Sequence, residues 1–230
     1  MFDVGDLGTI LGIWAHPDDE AYLSGGIMAM AAARGQRVVC VTATCGELAG
    51  TAAERRRELD RCLGVLGVGE HHWLGYPDGG CAGVPAAEAV GKLAALIGEV
   101  RPDTVLTFGP DGNTGHADHR TVAVWAAAAF DRAAPAGARL LQSAVGERWA
   151  RRWAPLNDGL NVFYPGYPVL VPDHDLAIDL VLDPDTTDLK VRALAAQRSQ
   201  TAALIGAMGR ERYAEWVADE AFVERGRGPR

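Results

Sequence analysis

Two alternating hydrophobic periods along the first 132 residues constrain this chain more than any other feature. Short runs rich in Val, Ile, Leu, Thr and aromatic residues predict strands at Thr9–Ala15, Arg37–Thr44, His72–Leu74 and Thr104–Phe108. Between and after them, Tyr22–Arg34, Ala52–Leu66, Pro85–Val100 and Asp118–Arg132 carry apolar residues at three- and four-residue spacing opposite charged ones, as amphipathic helices do. Strands separated by helix-length crossovers pair in parallel, because a parallel pair needs a long connection that a helix fills. The expected fold is α/β: a Rossmann-like three-layer α/β/α arrangement with a mostly parallel sheet and the active site at the carboxyl ends of the strands.

Beyond residue 132 the pattern loosens. Strands are expected near Leu140–Ser143 and Leu176–Leu180, and one long helix over Thr186–Met208. Trp149–Asp175, rich in Pro, Gly and aromatic residues without a clear period, is read as an ordered active-site loop or lid. The tail Arg225–Arg230 is expected to fray. A chain of 230 residues, 48% of them hydrophobic, can bury a full core. It is read as a single domain over 1–230, with a Rossmann-like half (1–132) carrying the chemistry and a second half (133–230) of variable loop or lid and C-terminal helices.

A formal net charge of -8 gives no electrostatic reason for a nucleic-acid partner. No run approaches the roughly 20 apolar residues of a membrane span. The N-terminus lacks the basic and apolar regions of a secretory signal, so a cytoplasmic location is expected. The four cysteines (Cys40, Cys45, Cys62, Cys81) form no C-x-x-C pair and are expected to be reduced and mostly buried; Cys45, just after a predicted strand, lies where pocket residues tend to sit.

His16, Asp18, Asp19 and Glu20 follow the first strand, and Gly109–Gly115 delivers His116, Asp118 and His119 after the fourth. Both clusters fall at the same sheet edge. His16 and Asp19 are three apart, as are His116 and His119, so each pair can project from one face near a helix start. Two imidazoles and one carboxylate suit a zinc-like ion, and three protein ligands leave a position open for water, as amide hydrolysis requires. Asp18, beside Asp19, can reach that water from the side and is assigned general base. His116 is the candidate oxyanion stabiliser, with Asp118 either holding its ring and raising its pKa or orienting a ligand histidine. His71–His72 reads as a polar turn and His174 as a surface residue. A G-x-G-x-x-G fingerprint is missing after the first strand, which argues against a nucleotide-dependent Rossmann enzyme.

With Ala15-His16-Pro17-Asp18-Asp19-Glu20 and Gly115-His116-Ala117-Asp118-His119 in place, the sequence resembles the PIG-L/LmbE-like de-N-acetylases over nearly its whole length. That resemblance implies His16, Asp19 and His119 as metal ligands, Asp18 as base and His116 as oxyanion stabiliser; the choice of His119 over His116 as ligand rests on it. It implies Zn2+, or another divalent metal such as Fe2+, and a small-molecule N-acetylated sugar as substrate, and it brings a homo-oligomer into consideration. Thr44–Glu47, Arg55 and Leu74–Gly79 match weaker family features, which suggests sugar contacts from Glu47, Arg55 and Asp78. Near Ala195–Gln200 the family often carries a histidine where this chain has Gln197. The expected activity is metal-dependent removal of the N-acetyl group from an N-acetylglucosamine-containing small molecule. The alternatives are an amidase for a larger sugar-thiol or antibiotic conjugate, and a non-catalytic sugar-binding relative.

Overall fold

The computed structural model describes residues 2–226. The chain runs β1 (Ile10–Trp14), α1 (Asp19–Ala33), β2 (Val38–Thr44), α2 (Ala52–Leu66), β3 (Glu70–Tyr76), α3 (Ala86–Val100), β4 (Thr104–Phe108), α4 (Ala117–Ala133), β5 (Arg139–Ser143). It continues through β6 (Val145–Gly146), α5 (Glu147–Leu160), β7 (Leu170–Val171), β8 (Ile178–Val181), α6 (Pro184–Ala196), α7 (Arg198–Met208), α8 (Arg210–Val217) and β9 (Asp219–Glu224). β1, β2 and β4 are buried at every position. This is why they read in sequence as unbroken apolar runs: a parallel sheet covered on both faces has no polar side. α1, α2 and α6 pack together, and α3 packs with α4.

The main sheet has the order β3-β2-β1-β4-β5-β9-β8. Its first five strands are parallel, with Ile10 opposite both Val38 and Thr104. β9 and β8, from the C-terminal part of the chain, close the same sheet in antiparallel pairing. After β1 the chain steps outward through β2 and β3, then returns to place β4 on the other side of β1. The β1/β4 boundary is therefore the switch point where the connections diverge, and an open α/β sheet has its crevice there.

Local chemistry sets several ends. Thr51 accepts the Glu54 N–H to start α2, and Gly67, at φ 76°, ends it in the left-handed conformation. Asp183 caps α6 ahead of Pro184.

Four expectations change. Trp149–Asp175 is not mainly loop: α5 occupies its first part, with Trp149, Trp153, Leu156 and Leu160 packing against the core despite Pro155. The long helix over Thr186–Met208 is two helices, α6 and α7, broken at Gln197. His71 and His72 lie inside β3 rather than in a turn. Arg225, expected to fray, is tied down by its backbone bond to Leu140 and its pairing with Asp131, while residues 227–230 lie outside the described residues. All four cysteines are buried and free. No helix among the described residues is long and apolar enough to cross a membrane.

The buried setting of His71 makes stability depend on pH. Its Nε2 lies 2.9 Å from Thr42 Oγ1 and its ring packs on Trp73. Burial, helped by the neighbouring His72 and Arg56, pushes its imidazole down to about 4. In the unfolded chain it titrates near 6.5, so between these values the unfolded state holds the extra proton and stability falls with acidification. From pH 7 to pH 5 this group should cost about 1–2 kcal/mol. His71→Gln should shrink the pH 7-to-5 difference in denaturation free energy by that amount; an unchanged difference would remove His71 as its source.

Candidate active site

The loop after β1 and the loop after β4 meet at the switch point. His16 leaves the end of β1, and Asp18 and Asp19 begin α1. Asp18 holds φ at 107°, a region that costs a non-glycine residue of order 1–3 kcal/mol. Its N–H donates to Glu20 Oε2 at 3.0 Å, which fixes this strained turn. Glu20 is fully buried, and its other oxygen accepts from Gln197 Nε2 at 2.6 Å and from Cys62 Sγ at 3.4 Å. Burial raises Glu20 to about 7 against those hydrogen bonds. The position where the family often has a histidine thus holds a buried amide that braces the turn from behind. Glu20 and Gln197 were not read as site residues from sequence; the only sequence sign of Glu20 was its place in the run of acids.

On the β4 side, Gly112 has φ 73°, and a Cβ there would sit 2.8 Å from His119 Cβ and 2.9 Å from the Arg120 nitrogen. Only glycine lets the loop lie this close against the first turn of α4. That turn carries His116 as N-cap, with Asp118 and His119 following.

Donor atoms of three residues converge. His16 Nδ1 is 3.2 Å from His119 Nε2, and Asp19 places Oδ1 3.3 Å from His119 Nε2 and Oδ2 3.7 Å from His16 Nδ1. A tetrahedral ion with ligand bonds of about 2.0–2.1 Å spaces its donors about 3.3 Å apart. The set fits a divalent cation with one face open. Two further groupings, His16 with His116 and His119 and His16 with Asp78 and Asp118, also bring their donor atoms within 4.8 Å of one another.

The outer contacts fix which nitrogens face inward. His119 Nδ1 lies 3.0 Å from the Gly112 carbonyl, which takes an N–H and leaves Nε2 as the free lone pair. His16 turns Nε2 toward two carboxylates, Asp78 Oδ1 at 3.0 Å and Asp118 Oδ2 at 3.2 Å, leaving Nδ1 for the centre. Burial disfavours charge on His16, but Asp118, Asp78 and Asp19 outweigh it and raise the ring to about 10. In His119 burial wins, lowering it to about 4. A cation among these acids supplies the positive charge that a proton on His16 otherwise provides.

This geometry decides between the two readings of Asp118. The Asp118 carboxylate does not hold the His116 ring. It is fully buried, accepts from the backbone N–H groups of Gly79 (2.8 Å) and Cys81 (3.1 Å), and lies against His16. Burial alone would raise Asp118; the His16 contact and those two N–H groups hold it below the usual carboxylate range. Asp78 lines the cavity and engages its carboxylate with His16 and the Leu48 N–H, and the His16 contact lowers it to about 2. His116 Nδ1 accepts the Asp118 N–H at 3.1 Å, so Nε2 is its available atom. Burial and the neighbouring His16 push the His116 ring down, toward neutral rather than imidazolium.

Asp18 lines the cavity beside this centre. Burial pushes its carboxyl well above the usual range, with Asp19 adding to the rise and Arg55 opposing it. Arg55, only 2% exposed, donates from Nη2 to the Pro17 carbonyl and stands 3.8 Å from Asp18 Oδ2. Its Nε and Nη1 are buried and have no hydrogen-bond partner in the protein. Gly46, at φ 66°, lies over this guanidinium, and a Cβ there would come within 2.8 Å of Nη2. Glu47 is exposed and accepts the Asp78 N–H. His174 is exposed at the surface, and Cys45 is buried and absent from the cavity lining. The cavity has a volume of about 710 Å3.

The sequence profile of the GlcNAc-PI de-N-acetylase family (PIG-L) matches residues 11–130, the segment carrying both histidine loops. A 1D-myo-inositol 2-acetamido-2-deoxy-alpha-D-glucopyranoside deacetylase from Mycobacterium sp. (strain KMS) is 33% identical over 228 residues, covering 83% of this chain and 73% of that protein. Among solved structures, the conserved protein TT1542 from Thermus thermophilus matches with TM-score 0.66 and 29% identity, covering 94% of each chain. The N,N'-diacetylchitobiose deacetylase from Pyrococcus horikoshii shares the fold with TM-score 0.66 at 22% identity, covering 97% of this chain and 87% of that one.

Proposed function

The chain belongs to the PIG-L family of GlcNAc-PI de-N-acetylases, and from that premise we propose that it hydrolyses the N-acetyl group of an N-acetylglucosamine-containing small molecule with a zinc-type cation. The observation that carries this reading is the convergence of His16 Nδ1, His119 Nε2 and an Asp19 oxygen at the spacing of metal ligands, with Asp18 beside them on the cavity wall. A divalent cation held by His16, Asp19 and His119 supplies Lewis-acid chemistry, making water more acidic and an amide carbonyl more electrophilic.

The chain's own residues do the rest. Asp18 takes a proton from the attacking water as its oxygen bonds to the acetyl carbon. The carbonyl oxygen gains charge, and the Nε2–H of neutral His116 donates to it; the Asp118 N–H on Nδ1 favours that tautomer. The proton on Asp18 passes to the amide nitrogen as the C–N bond breaks, giving acetate and the free amine. Asp118 and Asp78 orient His16. Arg55, 3.8 Å from Asp18, opposes the burial that disfavours the Asp18 carboxylate.

The test is acetate release from a panel of N-acetylglucosaminides, including the inositol glycoside, by protein reconstituted with one zinc ion per chain. Free amine and acetate should appear in equal amounts; no acetate from any member would refute the reading. His116→Ala should keep its metal and lose about 10²–10³-fold in kcat, the usual cost of one oxyanion donor. Loss of metal from this variant would make His116 a ligand instead.

A further inference from the structure

The cavity has two unlike halves. One end, around Gly46, Arg55 and Asp78, is polar. The other, bordered by β9 and the start of α5, is lined by Trp149, Phe163 and Trp216, with Trp149 in ring contact with both others, and by Leu176 and Leu204, with Asp173, Asp179 and Asp219 also in the lining. The indole N–H groups of that wall are already spent. Trp149 Nε1 donates to the Trp216 carbonyl at 3.2 Å, and Trp216 Nε1 donates to Asn157 Oδ1 at 2.9 Å. The nearby Glu220 carboxylate is taken by Lys190 and by the N–H groups of Gly26 and Ile27. Arg148 at the rim is paired with Asp179 at 2.7 Å. Burial pushes the half-buried Asp219 toward its neutral form.

Against the indole and phenyl faces a polyol would lose water without gaining partners, which costs free energy for each stranded hydroxyl. A flat apolar group would gain burial against two indoles and a phenyl ring. This inference rests on the deacetylase reading. Because that reaction releases only acetate, the bulk that fills the rest of the cavity belongs to the amine side of the substrate.

We infer that this half of the cavity is an aglycone subsite for an aromatic or otherwise apolar group carried by the N-acetylated sugar, so that the enzyme selects a hydrophobic glycoside over a polyol glycoside. It makes Trp149, Leu204 and Trp216 specificity determinants, with no part in the chemical step.

The experiment measures kcat/KM for zinc-loaded protein on the phenyl, methyl and inositol glycosides of N-acetylglucosamine, and on a methyl glycoside whose N-acetyl is replaced by N-hexanoyl. The phenyl glycoside should exceed both the methyl and the inositol glycosides by about tenfold or more, the scale set by burying a phenyl ring. Trp149→Ala and Leu204→Gln should each pull the phenyl-to-methyl ratio back toward one; Leu204 is half-buried on a helix surface, so its variant keeps the test available if Trp149→Ala fails to fold. Equal rates on phenyl and methyl glycosides would overturn the subsite while leaving the deacetylase reading standing. A gain for N-hexanoyl without one for phenyl would overturn the aglycone assignment in favour of the acyl group. No acetate from any N-acetyl substrate would instead overturn the deacetylase reading, and this inference with it.

Discussion

Asp18→Asn should retain one divalent cation per chain and lose about 10²–10⁴-fold in kcat/KM, the range expected when a positioned general base is removed. The change is nearly isosteric, and asparagine tolerates positive φ better than most residues, so the strained turn at φ 107° should survive. The ligand set lies on other residues, so the metal should stay. The same substitution should leave stability unchanged or raise it. Asp18 sits beside Asp19 and Glu20, and burial already disfavours its charge, so removing that charge relieves a cost that only catalysis justifies. Metal analysis, turnover and thermal unfolding on one preparation check all three. Wild-type turnover would end the base assignment, and metal lost together with turnover would move Asp18 into the ligand set.

His119→Ala should abolish both metal binding and turnover. Its Nε2 faces His16 Nδ1 and Asp19 Oδ1, and its Nδ1 is committed to the Gly112 carbonyl, so it closes the set that His16 and Asp19 begin; His116 is the neighbouring histidine whose Nε2 competes for that place. Two remaining ligands would leave the cation held by His16 and Asp19 alone, and affinity should fall by several orders of magnitude, since each ligand of a zinc site contributes a large share of its binding. The measurement is competition with a chelator of known zinc affinity, compared with His116→Ala under the same conditions. Full metal occupancy without His119, together with metal loss in His116→Ala, would show that the two histidines exchange roles.

The first half of the fold was legible because β1, β2 and β4 are buried on both faces and α2 and α3 are amphipathic, so these elements carry their own period, while α1 is apolar and buried nearly all round and reads as a helix by its length. The second half was not, for separate reasons. α5 has an apolar stripe at Trp149, Trp153, Leu156 and Leu160, but Pro155 and Gly159 interrupt the pattern and suggest a loop. β9 reads Asp-Glu-Ala-Phe-Val-Glu and looks like a polar tail; its Glu220 is 2% exposed only because Lys190 and two backbone N–H groups of α1 receive it. Nothing around Ala196-Gln197-Arg198 signals a break between helices. The break comes with a tertiary bond, from Gln197 to Glu20, that no local pattern contains.

The sequence by itself determined the strand-and-helix alternation, the donor types, and their placement in two short loops that each follow a strand. Those are local properties, set by hydrophobic period and by spacing along the chain. Only the tertiary structure decided that β4 lies directly beside β1, which brings residues about a hundred positions apart to the spacing of metal ligands. It alone decided that Asp118 and Asp78 face His16 and that Asp118 does not hold the His116 ring. The physical reason is that a carboxylate's partner depends on rotamer and on which backbone N–H groups meet it. For Asp118 those come from Gly79 and Cys81, after β3, and the spacing of a motif after β4 carries no information about them.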